Sequence, residues 1–211
     1  MISLLIILFG LTMLYAVSTS RIEAYIKILI VQGIILFLMI LIDDHRISLL
    51  NLFFLTLETL GIKAILIPIF LYRILRKTGV YREIEPYLPN FYSLVITTFI
   101  FLLGFLVAFL SLKSNYPVKP LFFGVSISTI ITALFIITSR LKIITHVMAY
   151  MMLENGIFLL SLSIAHEMPM IVNLGVLLDL FLAIFLLGIF VYNIKRTFNE
   201  LDINTLSRLK D

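Results

Sequence analysis

Residues 91–112, FYSLVITTFIFLLGFLVAFLSL, run for 22 positions without a charged side chain. A helix needs about 20 predominantly apolar residues to cross a hydrocarbon core about 30 Å thick, so this stretch reads as a spanning helix. Its flanks mark its ends. Pro86 and Pro89 precede it and Pro117 follows, where a missing N–H and a fixed φ cost little. Working outward, apolar segments of similar character fall at 2–18, 22–42, 50–75, 121–138, 141–165 and 169–193. Pro120 and Pro169 also sit between segments, and only Pro68 lies inside one. The segment 2–18 lacks the basic n-region and short apolar core of a cleaved signal and is read as a retained first helix. The expected fold is an all-α integral membrane protein of about seven transmembrane helices.

Composition supports the same solvent. Of 211 residues, 62% are hydrophobic and 13% charged, and the mean hydropathy is +1.16. A soluble domain carries about 25% charged residues. Cysteine is absent, so the chain can build neither a thiolate-held iron–sulfur cluster nor a disulfide framework. No catalytic or metal-binding group is expected in this chain, and any redox chemistry falls to partners.

The basic residues set an orientation, because cytoplasmic loops carry an excess of Lys and Arg. Twelve of the sixteen fall on one side: Arg21, Lys27, Arg73, Arg76, Lys77, Arg82, Arg140, Lys142, Lys195, Arg196, Arg208 and Lys210. Arg46, Lys113 and Lys119 fall on the other, and Lys63 lies inside a segment. The richer side is expected to be cytoplasmic, which puts the N-terminus out, the C-terminus in, and the chain as a multi-pass protein in the cell membrane. The net charge of +4 is then a solvated basic rim rather than a nucleic-acid surface.

The chain also resembles itself. Thr19-Ser20-Arg21 recurs as Thr138-Ser139-Arg140, Gln32-Gly33-Ile34 matches Asn155-Gly156-Ile157, His45 matches His166, and Leu57-Glu58 matches Leu178-Asp179. Such internal symmetry is a mark of transporter-like construction. The expected organisation is an N-terminal three-helix repeat (1–78), a connecting part with one helix (79–120), and a parallel C-terminal three-helix unit with a cytoplasmic tail (121–211).

Four ionisable side chains fall deep in apolar segments: Glu58, Lys63, Glu154 and Asp179. A charged side chain near mid-bilayer costs at least about 2.5 kcal/mol, which makes each a functional-site hypothesis. Glu58 and Lys63 are five residues apart, about 140° around a regular α-helix, and would not pair unless the helix bulges. Pro68, five residues beyond Lys63, loosens the backbone there by withholding a donor. Tyr150 stands one turn before Glu154 on the same face, within hydrogen-bonding reach, and His146 is a turn further and angled off. Gln32, Thr59, His146, Tyr150 and Asn155 are candidate polar relays. His45 and His166 fall in turns and read as solvated residues rather than metal ligands. A purely structural role for each buried charge, satisfied on a neighbouring helix, is the competing reading.

The run Met152-Leu153-Glu154-Asn155-Gly156-Ile157, the second acid Asp179, the basic helix end Lys195-Arg196 and the tail Leu201-Asp202-Ile203-Asn204-Thr205-Leu206 resemble the K-type subunit of respiratory complex I and the C-type subunit of multi-subunit cation/proton antiporters. That likeness covers about residues 145–206. With three or four helices ahead of it, and with the segment from Leu57 to Lys77, the whole chain resembles the hydrogenase-4 component E family of group 4 energy-converting [NiFe] hydrogenases and formate hydrogenlyase-type complexes. By resemblance, Glu154 and Asp179 occupy the positions of two membrane glutamates, the aspartate being a departure. The resemblance implies a non-catalytic membrane subunit of a redox-driven proton or sodium pump. Its partners would be antiporter-like membrane subunits and peripheral hydrogenase subunits, and the nickel–iron and iron–sulfur centres would lie in those partners alone. A scaffold subunit of such a complex, a subunit of a complex I-like or antiporter assembly, and an autonomous transporter remain the alternatives.

Overall fold

Apolar segments bounded by small polar or proline residues become helices because, without water, a helix satisfies its backbone groups internally. The computed structural model describes residues 1–42, 53, 55–78, 87–111 and 119–164, and of Glu58, Lys77, Thr78 and Ile143 the backbone only. Helix α1 spans Ile2–Ser18 and α2 spans Ile22–Ile42. A π-helical segment, Leu57–Leu66, runs into α3, Ile67–Thr78. Helices α4 (Asn90–Ser111), α5 (Pro120–Ser139) and α6 (Ile143–Ile164) follow. All these elements are helical. Among the described residues, four helices are long and apolar enough to cross a membrane: Ile22–Ile42, Asn90–Ser111, Pro120–Ser139 and Ile144–Ile164. Helix α1 is apolar but shorter, and the segment expected at 50–75 is divided by its π register. The helix expected at 169–193, together with Asp179, His45 and His166, lies outside the described residues.

Two sets of contacts fix how the helices run. At one end the Arg140 guanidinium, just past α5, donates to the Val17 carbonyl (2.8 Å), which closes α1, and to Asn90 Oδ1 (3.0 Å) at the start of α4. The Tyr87 N–H donates to the Ser139 carbonyl at the same end (3.1 Å). At the opposite end the Lys119 N–H donates to Ser163 O (3.2 Å), pairing the start of α5 with the finish of α6. Helices α1 and α5 therefore point one way and α4 and α6 the other.

Arg140 departs from the solvated basic rim expected of it, because it is 2% exposed. The last carbonyls of a helix have no intrahelical donor and carry the negative end of its dipole, so a cation is favoured there. A planar guanidinium can serve several acceptors at once. Its counterpart in the matched triplet, Arg21, is exposed.

Helices α4 and α5 touch backbone to backbone. A Cβ on Gly124 would stand 2.5 Å from the Gly104 carbonyl and 2.8 Å from Ala108 Cβ. The small residues at 104, 108, 124 and 128 are the close-approach pattern by which helices associate in lipid, where no hydrophobic driving force separates them from the solvent.

Candidate functional site

One cluster of buried polar residues lies where α1, α2, the π-helical segment and α6 meet. Gln32 is fully buried on α2. Its Nε2 donates to Thr12 Oγ1 on α1 (2.8 Å) and to Met13 Sδ (3.2 Å). Its Oε1 accepts from Asn155 Nδ2 on α6 (3.0 Å). Thr12 in turn donates to the Phe9 carbonyl at 2.6 Å. A chain of hydrogen bonds thus crosses three helices, and the two residues it joins, Gln32 and Asn155, are the pair matched in the sequence repeat. An amide in an apolar interior needs all its groups served, so this chain also ties the three helices together.

Beside it lies the lysine. In the π-helical segment hydrogen bonds close over five residues, and Ile67 N–H indeed donates to Ile62 O. The donor that this register would assign to the Lys63 carbonyl is residue 68, a proline, which has none. The π register ends at Leu66, three residues beyond Lys63, and the α register begins at Ile67, next to Pro68. Positions 58 and 63, which a regular α-helix would set well apart, stand one π turn apart along the backbone. The bulge on which their pairing depended is present, while the Glu58 side chain lies outside the described residues.

Lys63 is 6% exposed, and its Nζ stands 5.0 Å from the centroid of the Phe158 ring, a cation–π contact. Phe158 follows Glu154 by four residues on α6, so the two share a face. The contact sets Lys63 against the stripe of α6 that carries Glu154, itself 2% exposed. Gly33, next to Gln32, makes this approach possible. A Cβ there would lie 2.9 Å from Ala64 Cβ and 3.0 Å from the Ala64 nitrogen.

The remaining candidate relays divide. Thr59 is fully buried and donates to the Leu55 carbonyl at 2.8 Å, so its hydroxyl proton is already committed along its own helix. Tyr150 is half-buried one turn before Glu154. His146 lies away from the amide chain, with Nε2 2.6 Å from the Arg140 carbonyl, and belongs to the cluster at the end of α5. Among the described residues no group of three or more His, Asp or Glu could hold a metal ion.

Three participants give little sign of their role in the sequence. Thr12 is one hydroxyl in an apolar helix, and Phe158 is one of 18 phenylalanines. Arg140 looked like any other basic residue at a helix end. The signal for Phe158 was its spacing of four from Glu154.

Geometry and composition thus define a helical, membrane-embedded bundle with a buried lysine, a buried carboxyl group and an amide chain between helices. Against known proteins, the chain is 28% identical over 163 residues to an uncharacterized protein of Mycobacterium tuberculosis, a match covering 74% of this chain and 71% of that one. It is distantly similar to hydrogenase-4 component E of Escherichia coli and of Shigella flexneri, each 27% identical over 122 residues. That match covers 58% of this chain and 56% of each relative, so it spans little more than half of those proteins. No family model matches the chain. No solved structure matches it either.

Proposed function

We propose that this chain is a membrane subunit of a hydrogenase-type, redox-driven complex, and that its buried charges take part in moving protons. The observation that carries the reading is the burial of Lys63 and Glu154 against one stripe of α6, a helix long and apolar enough to cross a membrane. Ionisable residues so placed are costly, and their default explanation is an ion pathway. The similarity to hydrogenase-4 component E supplies the kind of complex.

In this reading Glu154 holds and releases the proton. Lys63, in the backbone segment where hydrogen bonding changes register, is the partner charge whose distance a conformational change in a neighbouring subunit alters. Glu58 and Asp179 extend the line of titratable groups, and the nickel–iron and iron–sulfur centres reside in other subunits. The bundle has about seven membrane spans with the Arg140 end cytoplasmic, and the Gln32–Asn155 bond joins its two parallel repeats. Antiporter-like subunits are the expected neighbours in the bilayer.

A second reading, a scaffold subunit, is favoured by one observation. Gln32 spends both its amide groups on holding α1, α2 and α6 together. Membership itself is tested by tagging the chain in its native membrane and purifying it in mild detergent. Co-purification of a [NiFe] large subunit and at least one antiporter-like subunit is expected. A chain that purifies alone and transports ions in liposomes would replace both readings with that of an autonomous transporter.

A further inference from the structure

Hydroxyl groups inside membrane helices ordinarily return their proton to the carbonyl three or four residues back. Most in α4 and α5 do so: Thr98, Ser126, Ser128 and Thr129 each donate at 2.8 to 2.9 Å. Ser93 and Thr97 on α4 and Thr132 on α5 do not. Their side-chain oxygens are buried and make no hydrogen bond among the described residues. The residues themselves are 1%, 0% and 0% exposed.

These three are not scattered. The buried residues of α4 are Ser93, Thr97, Phe101, Gly104 and Ala108, a single stripe. The register of α4 against α5 is fixed by Asn90 on Arg140, by Ser128 Oγ on the Ile100 carbonyl (3.4 Å), and by the crossing of Gly104 with Gly124. Counting along the antiparallel pair between those points sets Thr97 level with Thr132, and Ser93 one turn nearer the Asn90 end. The seam is thus polar from Asn90 and Arg140 through Ser93 to Thr97 and Thr132. At Gly104 and Gly124 the backbones meet and leave no room for anything between them.

We propose that the α4–α5 seam binds a file of water that is reached past Arg140 from the Asn90 end and stops at the Gly104–Gly124 crossing. Buried polar atoms are almost always satisfied, and water is the ligand that fits: it is neutral, small, and both donates and accepts. The seven residues from Asn90 to Thr97 correspond to about 10 Å of helix, so a file of that length would extend well into the bundle. The inference does not depend on the chain moving protons. It rests on three hydroxyls and a register.

The absence of cysteine makes the test direct. Single variants Ser93→Cys, Thr97→Cys and Thr132→Cys are made in the full chain, in its native membrane, and exposed to a charged methanethiosulfonate reagent added to one membrane face at a time. Leu103→Cys and Phe105→Cys, whose side chains are 46% and 43% exposed on the outside of the bundle, are the lipid-facing controls. Ser18→Cys, exposed at the end of α1, is the control for a folded and accessible thiol. Full labelling after denaturation establishes that each thiol is present. The three seam thiols are expected to react at least tenfold faster than the lipid-facing controls, from the Asn90 face only, with Ser93→Cys the fastest. Rates equal to those controls, or reaction from the opposite face only, would overturn the file. Either result leaves the proton-moving role to be decided by measurement of translocation.

Discussion

Replacing Gly33 with leucine is expected to remove the protein from the membrane, while Gly33→Ala leaves a reduced amount. The reason is local. The position where any side chain would begin lies 2.9 to 3.1 Å from the Cβ, nitrogen and Cα of Ala64, and two of those atoms are backbone. Backbone cannot rotate aside as the far end of a side chain can. Overpacking costs about 1–3 kcal/mol where neighbours can give way, and the larger side chain here has nowhere to go, so about 3 kcal/mol or more is expected. The displaced element is the π-helical segment that carries Lys63, and Gln32 is the residue beside Gly33. The change therefore loosens the candidate site and the fold together. Immunodetection of the chain in isolated membranes measures it, and wild-type levels of Gly33→Leu would mean that α2 and the π segment do not pack as described.

Arg140→Met is expected to be the next most damaging change. The guanidinium holds the carbonyl that ends α1, at 2.8 Å, and the amide oxygen that begins α4, at 3.0 Å. A methionine of similar length fills the space but leaves the buried Val17 carbonyl and the half-buried Asn90 amide oxygen without that donor. Hydrogen bonds to charged groups contribute about 1.5–3 kcal/mol each, so a loss of about 3 kcal/mol is expected. Arg140→Lys rescues little, since a single ammonium cannot present a fork of donors to two separated acceptors. Thermal unfolding in detergent, followed by helical circular dichroism, reads the difference. A melting temperature unchanged in Arg140→Met would remove Arg140 from the joint between α1, α4 and α5.

The helices themselves were legible because the bilayer imposes a length and a composition on whatever crosses it. Segments expected at 2–18 and 22–42 coincide with α1 and α2, and that at 91–112 differs from α4 by a residue at each end. Helical register was not legible in the same way. Nothing in Leu57–Leu66 announces ten residues of π-helix, since the same side chains are compatible with an α-helix, and the register is decided by packing against Gly33 and by the missing donor at Pro68. The proline marked the place without specifying the form.

The site was legible where its residues are unusual and illegible where they are ordinary. Lys63 and Glu154 stand out in an apolar segment because of what they cost there. Gln32 and Asn155 stand out only when the two halves of the chain are set against each other, and a hydrogen bond joins them directly. Arg140 departs from the solvated rim for a physical reason. A basic residue just beyond a helix looks the same whether it faces lipid headgroups or the carbonyl end of a neighbouring helix, and only the neighbour decides. Nothing in the sequence distinguishes Ser93, Thr97 and Thr132, because hydroxyls in membrane helices are normally satisfied by their own backbone.

The π segment also bears on mechanism. A backbone that changes register within one helix is a place where a small shift can alter which residues share a face. Lys63 sits inside that segment, with its ammonium over Phe158. A one-residue return toward the α register would turn Lys63 relative to the α6 stripe and change its distance from Glu154. In the proposed function, such a motion would couple a conformational signal from a neighbouring subunit to the charge state of the site.

The central claim is that a buried carboxyl group of this chain lies on the route of the protons, and the measurement that tests it most directly is proton translocation by the intact complex carrying Glu154→Gln. The substitution keeps the shape and removes the titratable group. Membrane vesicles are supplied with the redox substrate, and proton movement and redox turnover are followed in the same sample, with assembly of the complex established beforehand. Positioned groups that transfer protons contribute rate factors of about a hundredfold or more, so translocation is expected to fall at least about tenfold in an assembled complex that still turns over. Translocation per turnover equal to that of the unaltered complex would contradict the account and leave the chain a scaffold.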